Sequence, residues 1–186
     1  MAVRQIVFSN DPMLHEASRR VDRVDEGVEE LIEDMIETMR EANGIGLAAV
    51  QVGEPERVIV IEIPVVDDEM EEGPQEPLET ELCVLINPEL VDKSEDLVEG
   101  IEGCLSVPGW VGEVERHESV TVEGLDRNGR NVRVQAQGLL ARVFQHEIDH
   151  CQGVLFIDHI RDPDKVWRVE EGQEEAAEAA QRVPLD

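Results

Sequence analysis

From Gly138 to Gly153 the chain reads GLLARVFQHEIDHCQG, and the reading of this stretch decides what the fold is built around. Leu139, Val143, Phe144 and Ile148 recur at helical spacing, so they lie along one face of an α-helix that packs into a core, and Gly153 supplies its end. Residues four apart share a helix face, so His146 and His150 present two imidazoles to a common point with Glu147 beside them. Two readings of that pair stay open at this level. They are ordinary helix histidines, or they are ligands of one metal ion. In the second case neutral imidazole suits zinc or iron(II), a bound water loses a proton near neutrality, and Glu147 takes and returns protons.

A catalytic metal site usually has three protein ligands and an open position, so two histidines need a third ligand from elsewhere. Cys104 is the candidate. It sits in EGCLSVPG, with Gly103 before it and Pro108-Gly109 after it, a composition that marks tightly shaped backbone rather than regular sheet. A thiolate would favour zinc or iron(II) over magnesium or calcium. The competing reading is a small buried apolar side chain, and it fits Cys83 within LCVLI and Cys151, a quarter turn away from His150. Three cysteines are an odd and sparse set that argues against a disulfide framework.

Outward from this helix, the pattern alternates between strands and one earlier helix. From Asp25 to Asn43, Val28, Leu31, Ile32, Met35, Ile36 and Met39 form an apolar stripe with acids opposite, which predicts an amphipathic helix capped by Asp25 and closed by Asn43-Gly44. Val58 to Ile63 and Leu82 to Ile86 read as strands, the second closed by Asn87-Pro88. Residues 67–81 between them are acidic and aperiodic, and are expected to form a solvated excursion. Ser119–Leu125 and Asn131–Gln135 flank Asp126-Arg127-Asn128-Gly129, the signature of a β-hairpin. Asp162 and Pro163 are placed to start a C-terminal helix that becomes acidic and alanine-rich and frays beyond about Glu171. Residues 1–170 are thus expected to form one catalytic domain, and 171–186 an acidic tail.

With 186 residues the chain is the size of one domain. Its 44 acidic against 16 basic residues give a net charge of −28, a surface that repels itself unless salt screens it. Near 1 M salt the reach of such charges shrinks to roughly 3 Å, which suggests a halophilic source. The same charge disfavours contact with nucleic acid phosphates. No apolar run approaches the length that crosses a bilayer, and MAVRQIVFSNDP lacks the features of a signal peptide, so a soluble, cytoplasmic protein is expected.

Three separated stretches together resemble the signature motifs of the peptide deformylase family, in the same order: Gly44-Ile45-Gly46-Leu47-Ala48-Ala49-Val50-Gln51, Glu102-Gly103-Cys104-Leu105-Ser106 and Gln145-His146-Glu147-Ile148-Asp149-His150. Looser similarity runs from NDPMLHEASRRV to GVLFIDHI, covering most of residues 1–160. The resemblance implies an α+β fold: antiparallel β-sheets packed around a central metal-binding α-helix, with N-terminal and C-terminal helices. It implies removal of the formyl group from the N-terminal formylmethionine of nascent polypeptides, with release of formate. On the matching positions, Cys104, His146 and His150 would bind one divalent ion, commonly iron(II) in this family, with zinc, nickel or cobalt as substitutes. Glu147 would be the general acid/base. Gln51 and the backbone N–H of Leu105 would face the formyl oxygen, and Ile45 and Gly46 would run beside the substrate backbone. The partners implied are formylated nascent peptides met by a monomer, in transient association with the ribosome.

Other positions carry weaker expectations. Glu102 and Arg116 form either a supporting salt bridge or an ordinary surface pair, and Asp149 orients a ligand histidine or caps nearby backbone. Gly109-Trp110-Val111-Gly112 departs from the family pattern, and so does Arg142, which stands where some members have an apolar residue of the methionine pocket; it shapes that pocket or reaches solvent. Two rival functions are a peptidase cutting internal bonds, which would use a histidine or glutamate as third ligand, and a structural metal protein, which would need a fourth ligand.

Overall fold

The computed structural model describes residues 2–64 and 80–169. Helix α1 (Glu26–Glu41) is followed by β1 (Gly46–Ala48), β2 (Val58–Pro64), β3 (Thr80–Lys93), β4 (Leu97–Gly103), β5 (Trp110–His117), β6 (Ser119–Leu125) and β7 (Asn131–Gln137). Helix α2 (Gly138–His150) and β8 (Val166–Arg168) complete the described chain. The strands form a five-stranded sheet in the order β1-β2-β3-β6-β7 and a three-stranded sheet β4-β5-β8, with every pairing antiparallel.

Strand β2 explains how the layers stack. Its side chains alternate in direction: Val58 and Val60 join the cluster around α1, with Leu31, Ile32, Met35 and Met39, whereas Ile59 and Ile61 join the cluster around Phe144 and Ile148 of α2. All four are buried, so the run is apolar at every position. Helix α1 therefore covers one face of the large sheet and α2 the other. Beyond α2 lies the small sheet, whose Val114 belongs to the α2 cluster and whose His117 backbone is held by the Gln145 amide of α2, which takes the His117 N–H at 3.0 Å and gives to its carbonyl at 2.9 Å. The helix with the two histidines is central, as expected, although Leu139 of its predicted apolar face is exposed and Ala141 is buried instead.

The ends of both helices follow their sequence signals. The Asp25 carboxylate accepts from the N–H of Gly27 and Val28, and Asn43 takes the left-handed conformation (φ 53°) that lets Gly44 N–H reach Met39 O at 2.8 Å. At the hairpin, the Asp126 carboxylate accepts from the N–H of Asn128 and Arg130, and Gly129 has φ 72°.

Two expectations are corrected. Asn87-Pro88 does not end its strand: β3 continues to Lys93 through a register shift between Ile86 and Glu89, with Asn87 at φ 55°. A bulge takes the proline, which has no N–H to give, out of the ladder, and the Asn87 side chain meanwhile pairs with both backbone groups of Val21. The segment after Asp162 is not a long helix within the described residues. Asp162 caps a single turn, Pro163–Lys165, and the chain then extends as β8, where Val166 and Trp167 pair with Gly112 and Val111 at the edge of β5. Most of the acidic stretch 67–81 lies outside the described residues, apart from Thr80 and Glu81 at the start of β3, and so does the tail 171–186.

Candidate metal centre

Cys104 is the first residue after β4, in a turn closed by Val107 N–H to Cys104 O at 2.8 Å and held from outside by Ser9 N–H to Ser106 O at 2.8 Å. That turn delivers its Sγ to within 3.3 Å of His150 Nε2. His146 lies one helical turn earlier, its ring 4.9 Å from that of His150 and inclined by 76°. One donor atom from each of Cys104, His146 and His150 falls within 4.8 Å of the other two. These residues come from two distant parts of the sequence, and both histidines are anchored by the packing of α2 between the sheets.

Charge in the surrounding interior is arranged in alternation. His146 Nδ1 lies 2.9 Å from Glu102 Oε2. Arg116 grips Glu102 with Nε at 2.8 Å and Nη2 at 2.9 Å, and its Nη1 reaches Asp149 Oδ2 at 2.5 Å. Asp149 in turn accepts from His159 Nε2 at 2.7 Å. Burial alone would favour the neutral acid at Glu102, but Arg116 and His146 hold its carboxyl far below the usual range. At His146 burial also opposes charge, yet the Cys104 sulfur and Glu102 raise its pKa well above the ordinary value. Burial dominates at His150 and lowers its pKa well below the ordinary value, leaving a neutral imidazole. A sulfur and a carboxylate that stabilise a cation at His146, next to a neutral imidazole, make a donor set that fits a divalent metal ion of the borderline-soft class.

The acid/base candidate stands beside this group. Glu147 is buried and its carboxyl is pushed up to about 7, chiefly by loss of hydration; Oε2 has no hydrogen-bond partner among the described residues. Gly46 makes room for it. A Cβ there would stand 2.9 Å from Glu147 Cδ and 3.0 Å from Val143 Cγ1, so only glycine lets β1 pass this close. Gln51 sits in the single turn Ala49–Val52 that follows β1. Its Oε1 accepts from Ala48 N–H at 2.8 Å, which fixes the amide so that Nε2 points to Ser106 Oγ (3.2 Å) and Cys104 Sγ (3.5 Å). Leu105 packs over Gly44, where a Cβ would meet its Cδ1 at 2.9 Å. Ile45 is half-buried and its carbonyl accepts from Glu62 N–H at 2.9 Å.

The three stretches singled out in the sequence thus converge. The neighbouring expectations fare less evenly. Glu102–Arg116 is a buried pair at the site, not a surface one. Among the described residues the Asp149 carboxylate meets Arg116 and the ring of His159 rather than a ligand histidine or a backbone N–H. Arg142 does not reach solvent. It is buried, with its guanidinium bonded to Glu102 and to carbonyls of the small sheet. Ser106 lies within the second quoted stretch but no role is read for it from sequence, and His159, which joins the network through Asp149, carries no local pattern that marks it.

A helix carrying two converging imidazoles, a cysteine beside them and a buried carboxyl define a metal-dependent hydrolase. The sequence model of polypeptide deformylase matches residues 3–166. A peptide deformylase of Thermomicrobium roseum is 51% identical over 97% of this chain and 98% of its own length, and one of Agrobacterium fabrum is 44% identical over 86% and 88%. The crystal structure of peptide deformylase from Ehrlichia chaffeensis superposes with a TM-score of 0.78 at 36% identity, covering 100% of both chains. The chain belongs to the polypeptide deformylase family. The activity of that family, and of this enzyme, is hydrolytic removal of the N-formyl group from nascent peptides.

Proposed function

We propose that Cys104, His146 and His150 hold one divalent metal ion, iron(II) foremost with zinc, nickel or cobalt able to replace it, and that Glu147 is the general acid/base of deformylation. The observation that carries this reading is the convergence of the three donor atoms within 4.8 Å beside a buried carboxyl raised to about 7. When bound, the metal supplies Lewis acidity at neutral pH. Glu147 then accepts the proton that the attacking water gives up and passes it to the departing amine nitrogen. Gln51 Nε2 and the Leu105 N–H donate to the oxygen on which charge develops, each such donor being worth about 3 kcal/mol. Ile45 and Gly46 run beside the peptide, in keeping with the place of β1 at the edge of its sheet. Formate and a free amino terminus leave. A relative from Acinetobacter baumannii has been crystallised with Met-Ala-Ser bound, at 34% identity and a TM-score of 0.74, and such a peptide is what loss of the formyl group would leave.

The rival peptidase and structural-metal readings lack support: Cys104 stands where a third histidine or glutamate would be needed, and no fourth ligand joins the group among the described residues. Cys104→Ser tests the ligand assignment. It should lose most of its metal, and metal content equal to that of the parent would show that the thiolate is not required.

The same reading carries a cytoplasmic monomer with 1–170 as its catalytic unit, meeting formylated chains in transient contact at the ribosome without binding nucleic acid. The charge of −28 and the absence of any helix among the described residues long and apolar enough to cross a membrane are consistent with it. Stable co-sedimentation with naked RNA would overturn that part. Residues 171–186 are acidic in sequence, and the charge balance supports the reading of a halophilic protein.

A further inference from the structure

Arg142 is unusual in its surroundings. It stands on α2 one turn before His146, and its charged end is buried rather than solvated. Nη1 donates to Glu102 Oε1 at 2.9 Å and to Val114 O at 2.9 Å, and Nη2 donates to Val98 O at 2.8 Å. One guanidinium therefore joins α2 to β5 and to the edge strand β4, and at the same time takes the carboxylate oxygen of Glu102 next to the one that faces His146 Nδ1. The strand has made way for it. A Cβ on Gly100 would lie 2.7 Å from Arg142 Cζ and 3.0 Å from Nε. Glycine at that point of β4 costs strand stability and has no positive φ to explain it, so its use here is room for the guanidinium.

We propose that Arg142, with the space left by Gly100, is a positioning residue of the metal centre: it fixes the Glu102 carboxylate, and through it the ring of His146. Arg116 meets both oxygens of Glu102 from β5 and also reaches Asp149, and Arg142 adds a further donor to Oε1 from α2, tying the carboxylate to the helix that carries His146. The carboxylate is shared by two guanidinium groups, and its Oε2 faces His146 Nδ1 at 2.9 Å. Partners of this kind typically contribute 10–100-fold to metal affinity or activity. The inference rests on the metal site argued above, and the experiment separates the two.

The full chain is loaded with cobalt(II), whose visible bands report ligand geometry, and its release to excess chelator is timed. The parent, Arg142→Lys, Arg142→Met, Gly100→Ala and the double variant Gly100→Ala/Arg142→Met are compared, with circular dichroism as the check of folding. A parent that takes up no cobalt contradicts the metal site itself. Given uptake by the parent, Arg142→Met should release cobalt about 10–100-fold faster with shifted bands, and Arg142→Lys should lie between, since it keeps the charge but not the fork. Gly100→Ala should resemble Arg142→Met, because its methyl group must displace a guanidinium held by three short hydrogen bonds. The double variant should be no worse than Arg142→Met, the clash having been removed with the guanidinium. Parent-like bands and release in folded Arg142→Met overturn the proposal; if that variant does not fold, the same result in Arg142→Lys and Gly100→Ala together overturns it. Additive losses in the double variant also overturn it.

Discussion

Helices α1 and α2 flank the same sheet, are of similar length and both follow helical spacing of apolar residues, yet they are held by different physics. Helix α1 buries Val28, Leu31, Ile32, Met35, Ile36 and Met39 and turns acids outward; Asp34 and Thr38 are its only buried polar residues among those described. Helix α2 buries Phe144 and Ile148, but also Arg142, Gln145, Glu147 and His150. Removing apolar surface from water stabilises α1 without regard to direction, at roughly 1.5–3 kcal/mol for each large side chain fully buried. The polar groups of α2 are costly to bury: Arg142, Gln145 and His150 Nε2 are met at hydrogen-bond distance by partners from β4, β5 and the turn after β4, whereas Glu147 Oε2 and His150 Nδ1 have no such partner among the described residues. One helix is a wall, and the other is a platform that the rest of the fold has to serve.

The contrast breaks most visibly at Glu147. Glu147→Ala should lower kcat about 10²–10⁴-fold while metal content, measured by mass spectrometry, stays near the parent value; unchanged turnover would remove Glu147 from the mechanism. On the wall, Met35→Ala should do the reverse. The cavity should cost about 2–5 kcal/mol, read at roughly 2–4 °C of Tm per kcal/mol, with metal content and turnover of the folded enzyme unaffected. A loss of metal in that variant would show that the two helices are not independent. The smallest effect belongs to the outer acids of α1 and the rest of the charged surface. Tm should rise by several degrees between low and molar salt as repulsion is screened, and a flat response would count against a halophilic protein.

The same contrast explains what could be read in advance. Periodicity and caps reveal α1, because its stabilisation is local in pattern: one stripe, Asp25 at the start and Asn43 at the end. On α2 the spacing of His146 and His150 shows that they share a face, and motifs recognisable in order bring Cys104 and Gln51 to them. What no spacing contains is the destination of a long side chain. Arg142 is open to shaping the methionine pocket or reaching solvent until β4 is placed across it with Gly100 opposite, and Asp149 to serving a histidine ligand or capping backbone until Arg116 arrives from β5. The missed course of β3 has a similar origin. Asn87-Pro88 carries a valid stop signal, which the tertiary pairing of the Asn87 side chain with Val21 overrides.

The most direct test of the central claim is formate release from a formyl-Met-Ala-Ser peptide by protein purified without oxygen in high salt, with metal content determined on the same sample. Release at about one metal ion per chain, abolished by a chelator and restored by iron(II), is the result expected if Cys104, His146 and His150 hold the working ion. Release that persists in metal-free protein, or no release from folded and fully metal-loaded protein, would contradict it.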